Sequence, residues 1–432
     1  MNANAHQRGT GIGAGVRAFI ETIWYSINVS LRAYKYRLYP TPAQAEFLAR
    51  QFGCTRYVYN WALEQKSKAY QQTKKGLSRF ELDKRLTALK KEQPWLSEVA
   101  SQPLQQALIH LDKAFTRFFR EKKGYPRFKS KRGQQSATFP QGFKVDFAAG
   151  SLVLPKLGAV RAVYSRRFAG KVKKVTVSKA PTGKFYASVL VEEENQPSIK
   201  PDVEENAVGV DLGLRHFAVL STGEKVEHPK HLEKHLGRLR VLQRRMSRKK
   251  KGSANYRKAK LKVALLHERI AHSRSDFLHK LSTDLVRRFD TICLEDLNIQ
   301  GMLANGKLAR HIQVTGKAGM AHGHPLGQSG WAQFVAMLRY KAQWSGKHIR
   351  TIGRFEPSSR LCDCGYYNHA LTLSDREWDC PDCGRRHDRD VLAANNIKRF
   401  AYRKPNTGRD TPGELGEVSA MAEPSNQESH GL

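Results

Sequence analysis

A chain of 432 residues carrying 75 Lys and Arg against 39 Asp and Glu, a formal charge of +36, repels itself as a compact body unless a polyanion shares its surface. Its 40% hydrophobic content supplies a buried core and excludes wholesale disorder, while 6 cysteines are too few for a disulfide scaffold, and no run of about 18 apolar residues is available to span a membrane. Basic residues spread from Arg32 to Lys404 instead of gathering on one amphipathic helix or tail, which points to nucleic acid rather than a lipid surface as the partner.

Residues 1–30 hold only Arg8, Arg17 and Glu21 among Lys, Arg, Asp and Glu, and alternate glycines between residues 9 and 15. Too little chain precedes these glycines for the strand that a phosphate loop requires, and Glu21 interrupts the apolar run of a signal peptide; a flexible leader is expected. Leu31 to Tyr39 alternates as a strand. Thr41, Pro42 and Gln44 form a helix-start signature of N-cap, first-turn proline and capping-box partner. Helical spacing continues through Phe52, Val58 and Trp61, and again from Gln102 through Leu104, Leu108 and Leu111, so residues 41–121 are expected to be helical. Lys122, Lys123, Tyr125, Arg127, Phe128 and Lys129 then interleave charge with aromatic rings. That run is either a solvated loop or a phosphate- and base-stacking surface, and the charge of the chain favours the second. Short apolar runs at 152–154, 172–177 and 185–191 predict a small β-barrel or sheet joined to the first strand.

From Ala207 a buried strand ends in Asp211, and His216 to Leu220 reads as its neighbour. Between Pro229 and Lys260 lie 13 Lys or Arg against Glu233 alone, including Arg248, Lys249, Lys250 and Lys251, which predicts a basic helical hairpin for phosphate contacts. Thr291 to Glu295 is the next strand, Trp331 to Leu338 an amphipathic helix, and His348 to Ile352 the expected last strand. The tail from Pro405 to Leu432, with five acidic residues and one Arg, reads as disordered.

Two constellations carry chemistry. Asp211 and Glu295 end apolar strands and Asp390 opens a short helix, with Asp296 and Asp388 as neighbours able to exchange roles. Acids on apolar strands need partners, and two magnesium ions held by a few carboxylates clamp the attacking and leaving oxygens of a phosphodiester. Cys362, Cys364, Cys380 and Cys383 cluster in an otherwise cysteine-poor chain and predict one structural zinc, although the first pair is C-x-C; Asp363, His369 and His387 stand by as substitutes. Cys54 and Cys293 are expected to be small core residues.

RAYKYRLYPT from Arg32, YNWAL from Tyr59, YPRFKSK from Tyr125 and VGVDLGL from Val208 together resemble the TnpB, or OrfB-type transposase, family of bacterial insertion sequences. DFLHKLST from Asp276, LEDLNIQGM from Leu294, FEPSSRLC from Phe355, LTLSDREWDCPDCG from Leu371 and HDRD from His387 continue the resemblance over roughly residues 31–400. It implies an α/β chain with β-barrel and helical parts: a leader at 1–30, a wedge β-barrel at 31–40 plus 133–203, and a helical recognition domain at 41–132. A RuvC nuclease domain of RNase H type follows at 204–352 plus 387–404, with a zinc ribbon inserted at 353–386 and a tail at 405–432. It also implies an RNA-guided, magnesium-dependent DNA endonuclease of the bacterial cytoplasm and nucleoid. Its guide RNA comes from the transposon end, and its double-stranded DNA target carries a transposon-adjacent motif. The catalytic triad falls by resemblance on Asp211, Glu295 and Asp390. A second reading is a nuclease-defective, RNA-guided DNA-binding regulator. The chain departs from the family in its leader, in a Gly- and His-rich stretch near residues 313–328, in the C-x-C pair, and at Leu392, where the family carries an Asn expected to support the site by hydrogen bonds.

Overall fold

The computed structural model describes residues 30–122, 124–194, 197–213, 215–229, 233–297, 330–354, 356–372 and 374–403. The expected leader, the Gly- and His-rich stretch, Lys123 and the acidic tail lie outside the described residues. Strand β1 (Ser30–Tyr39) runs into α1 (Pro42–Thr73), whose start is the expected capping box: the Gln44 amide donates to Thr41 Oγ1 and the Thr41 amide to Gln44 Oε1. Helix α2 (Arg79–Glu92) begins with the same device, built from Ser78 and Glu81. A short 3₁₀ turn (Pro94–Ser97) leads to α3 (Ser101–Arg120). Leu104, Leu108 and Leu111 of α3 recur at helical spacing and pack on Val58, Tyr59, Ala62 and Leu63 of α1, each buried leucine contributing about 2 kcal/mol.

The first half of α1 faces another core. Leu48 and Phe52 join the apolar face of an antiparallel sheet that β1 shares with β2 (Gln135–Phe139), β3 (Lys144–Asp146), β4 (Ser151–Leu154), β5 (Gly158–Val163), β6 (Lys171–Lys179) and β7 (Phe185–Glu193). The order is β2-β6-β7-β1-β5-β4-β3, with β1 paired along β7 from Ser30 opposite Glu193 to Leu38 opposite Phe185. The expected barrel is therefore an open, seven-stranded sheet among the described residues. Edge strands β2 and β3 are short and do not pair with each other. Phe139 near one edge and Leu152 near the other nevertheless join a single core, so the sheet curls around Leu48 and Phe52 instead of closing.

A second, mixed sheet is built from β8 (Ala207–Asp211), β9 (His216–Leu220), β10 (Lys225–Glu227), β11 (Thr291–Glu295) and β12 (His348–Ile352), in the order β10-β9-β8-β11-β12. β11 lies parallel to both β8 and β12; β9 and β10 return antiparallel. The basic hairpin between β10 and β11 comprises α4 (Glu233–Ser247) and α5 (Ala254–Arg288), closed by Leu236, Leu239, Leu242 and Met246 against Val263, Leu266 and Ile270. α5 and α6 (Gly330–Trp344) cover one face of this sheet: Leu278, Leu285, Phe334 and Leu338 pack on Val208, Val210, Ile292 and Leu294. β12 is the last strand of the sheet but not of the chain. The cysteine region adds a hairpin of β13 (Glu377–Asp379) and β14 (Arg386–Asp388), which sequence periodicity could not announce at three residues per strand. Helix α7 (Arg389–Tyr402) then crosses the other face of the mixed sheet.

Candidate active site and metal centre

Strand alternation determines where the acids point. Val208, Val210, Ile292 and Leu294 face α5 and α6, so Gly209 and Asp211 on β8, and Cys293 and Glu295 on β11, share the opposite face. Gly209 is paired with Cys293, which places Glu295 beside Asp211 at the ends of two parallel strands. α7 lies on that face and approaches so closely that a Cβ on Gly209 would stand 1.9 Å from the Ala394 carbonyl oxygen. From this contact, two residues along the strand (about 6.6 Å) reach Asp211, and one turn back along the helix (about 5.4 Å) reaches Asp390. The three carboxylates accordingly meet where two strand ends face a helix start. Burial, followed by the charges of Glu295 and Asp390, pushes the Asp211 carboxyl up to about 7, with Arg389 pulling weakly the other way.

The alternative acids are occupied elsewhere. Asp388 is the N-cap of α7, accepting from the Asp390 and Val391 amides at 3.1 Å, and it pairs with Lys225. Burial works against its charge, but the Lys225 and backbone hydrogen bonds prevail and hold it below its ordinary value. Asp296 points away to Arg354 at 2.9 Å. Around the site, Arg376 stands 3.8 Å from Asp390, and the Ser358 hydroxyl donates to Glu295 Oε1 at 2.6 Å. Three half-buried carboxylates form a hard oxygen donor set, which suits divalent magnesium. Ser358 lies within the quoted FEPSSRLC segment, yet no pattern marks one serine of that pair as facing an acid.

The cysteine region converges as expected. The Cys362, Cys364, Cys380 and Cys383 sulfurs lie within 4.8 Å of one another, with Cys362 to Cys383 and Cys364 to Cys380 both at 3.6 Å. Tetrahedral zinc with Zn–S bonds of about 2.3 Å separates its sulfurs by about 3.8 Å, so these four residues fit that ion despite the C-x-C pair. The shortened turn is relieved at Gly365, which adopts φ +101° directly after Cys364. Of the substitutes, His387 Nε2 is 3.0 Å from Cys362 Sγ, a neighbour to the set rather than a fifth corner; Asp363 pairs with Arg385 and Arg399, and His369 packs tilted against the Tyr367 ring. Cys54 and Cys293 are buried in cores as expected.

Three family models match the chain: a helix-turn-helix domain of OrfB proteins of IS605 type over residues 30–75, the probable transposase domain of the same proteins over residues 188–306, and a Cas12f1-like TNB domain over residues 331–397. A Streptomyces pristinaespiralis protein named "Putative RNA-guided DNA endonuclease" is 42% identical over 372 residues, covering 85% of this chain and 88% of its own. Escherichia coli InsQ, which bears the same description, is 35% identical, covering 85% and 91%. The chain belongs to the TnpB family. The Cas12f1 chain of a Cas12f1–sgRNA–target DNA complex shares the fold, with a TM-score of 0.53 at 12% identity, covering 86% of this chain and 99% of that one.

Position 392, where the resemblance leads one to expect Asn, holds a Leu that is 3% exposed and packed with Cys362, Leu371, Trp378 and Cys380. The buried amide of α7 in this chain stands one turn later, at Asn396. The basic and aromatic residues expected at 122–132 divide in two. Phe128 and Tyr125 expose 63% and 49% of their surface, and Lys122 and Arg127 are also exposed. Tyr125 rests edge-on against Phe115 and Phe118, whereas the Lys129 ammonium sits 3.8 Å from the Tyr59 ring centre and its backbone is clamped by Asn60. Arg248, Lys249, Lys250 and Lys251 are exposed where α4 turns into α5. Beside them runs a groove of about 1100 Å³ lined by Arg238, Arg245, Lys249, Lys258, Lys262 and Arg269 together with Glu268, on the basic hairpin expected between Pro229 and Lys260. Among the described residues no helix is long and apolar enough to cross a membrane.

Proposed function

We propose that this TnpB-family chain is an RNA-guided DNA endonuclease that uses Asp211, Glu295 and Asp390 to hold two magnesium ions. A guide RNA from the transposon end and double-stranded DNA bearing a short adjacent motif are its partners. The observation that carries this reading is the meeting of three carboxylates at the ends of β8 and β11 and the start of α7. Magnesium bound there supplies positive charge to the attacking and leaving oxygens of a phosphodiester. The chain's own residues supply position. Parallel pairing of β8 with β11 fixes two acids, the close approach of α7 at Gly209 fixes the third, and Asp388 anchors the helix start. The mixed sheet, with carboxylates on adjacent strand ends, supports an RNase H-type nuclease centre. One zinc on Cys362, Cys364, Cys380 and Cys383 would tie the ribbon against α7.

A cleavage assay in magnesium tests this reading, with protein carrying its guide RNA and a matching target. Asp211→Ala, Glu295→Ala and Asp390→Ala should abolish cutting and leave guided binding intact. Asp388→Ala should still cut, at a loss of about 1 kcal/mol in stability from the missing cap. Wild-type protein that binds its target and never cuts would put the guided-regulator reading in place of the nuclease.

A further inference from the structure

We propose that Ser358 is a positioning residue of the nuclease centre, orienting the Glu295 carboxylate toward a divalent cation; this rests on the nuclease reading above. Asp390 has Arg376 at 3.8 Å, and Asp211 feels the charge of Arg389. Glu295 differs: the hydrogen-bond donor to its carboxylate, among the described residues, is a neutral hydroxyl, Ser358 Oγ, at 2.6 Å from Oε1. A hydroxyl fixes one oxygen without cancelling the carboxylate charge, so the group keeps its full attraction for a cation. A guanidinium or ammonium in the same place would compete with the metal. This is what an outer-sphere partner of a metal-binding carboxylate does.

Ser358 is itself held rather than loosely exposed. It is 8% exposed, and its carbonyl accepts from Asn396 Nδ2 at 2.7 Å; the same nitrogen donates to the Leu361 carbonyl at 2.7 Å. Asn396 is 1% exposed, and its Oδ1 has no hydrogen-bond partner among the described residues. Burying an amide with an unpaired oxygen is costly, and the two carbonyls clasped by its nitrogen are what offset that cost. Leu361 directly precedes Cys362. One line of contacts therefore joins α7, the first cysteine turn and Glu295, running from Asn396 through Ser358.

The test titrates the full-length, zinc-loaded protein with Mn²⁺, following free Mn²⁺ by electron paramagnetic resonance, with Glu295→Gln as the reference that lacks the site. Ser358→Ala should raise the Mn²⁺ dissociation constant about 10- to 100-fold and move the Mn²⁺ midpoint of target cleavage by a similar factor. Zinc content, melting temperature and guided target binding should stay at wild-type values. Ser358→Thr, which keeps the hydroxyl, should bring both constants back toward wild type. An alanine variant that binds Mn²⁺ as wild type does overturns the assignment, and so does a threonine variant that fails to restore what alanine lost. If wild type binds Mn²⁺ but never cuts, the nuclease reading falls, and the Mn²⁺ constants still decide the role of Ser358.

Discussion

Gly209 is the tightest point of the carboxylate site. A Cβ there would meet Ala394 O at 1.9 Å and Lys398 N at 2.9 Å, and both are helix backbone atoms that cannot swing aside. Gly209→Ala must therefore push α7 off β8, carrying Asp390 and Asn396 with it. The expected cost is about 3 kcal/mol or more, read by denaturant unfolding, together with loss of cleavage from a change that adds one methyl group. Leu392 makes the opposite point. In this chain, Leu392→Asn would place an amide among Cys362, Leu371, Trp378 and Cys380. Lost apolar burial and an unpaired amide together predict a penalty of about 3 kcal/mol, seen as a lower melting temperature and weaker zinc retention. A faster nuclease with unchanged melting would show that position 392 faces the carboxylates after all.

At the scale of elements, α7 integrates the site: its cap, its acid, its apolar contact with the ribbon and its buried amide follow one another along one helix. On the other face of the mixed sheet, α5 and α6 are joined by a half-buried cation. Lys341 Nζ donates to the His279 carbonyl and to the Ser282 and Thr283 hydroxyls, each at 2.7 Å. None of these partners is an anion, and burial pulls the ammonium down from 10.5 to about 8. The unfolded chain then holds a proton between pH 8 and 10.5 that the folded chain has released, so this residue makes stability rise with pH across that window. Below it, the partly desolvated charge is a constant cost. Lys341→Met should accordingly raise the melting temperature at pH 7, with the advantage shrinking as pH approaches 10.5. An advantage that does not change with pH would mean that the gain comes from packing and not from charge.

For the whole molecule, the net charge of +36 is the dominant quantity. It is spread along the chain, and its densest run lies where α4 and α5 form a groove with Arg248, Lys249, Lys250 and Lys251 at its end. Each phosphate contact releases counterions, so replacing these four residues by Gln should flatten the dependence of log affinity on log salt by about 0.9 for every duplex phosphate contact removed. Filter binding to a DNA duplex across a salt series measures the slope. A lower affinity with an unchanged slope would place this cluster away from the phosphates.

Local chemistry was legible in the sequence wherever a few neighbouring residues decide the outcome. Thr41 with Gln44 declared a helix start, alternation declared β1, and apolar strands ending in Asp211 and Glu295 declared acids that need partners. Four close cysteines declared a metal cluster, because thiolate spacing is itself a short-range property. The resemblance named Asp211, Glu295 and Asp390; what required the tertiary structure was the direction in which these acids and their close neighbours point. Asp388 and Asp390, or Glu295 and Asp296, differ only in the direction they point, and direction depends on which face of the mixed sheet receives α7. Whether the antiparallel strands close into a barrel depends on β2 and β3, far apart in the sheet, meeting or not. Ser358 and Asn396 carry no local signature at all: their partners lie 63 and 38 residues away, and only the packed chain brings a hydroxyl to a carboxylate across that distance.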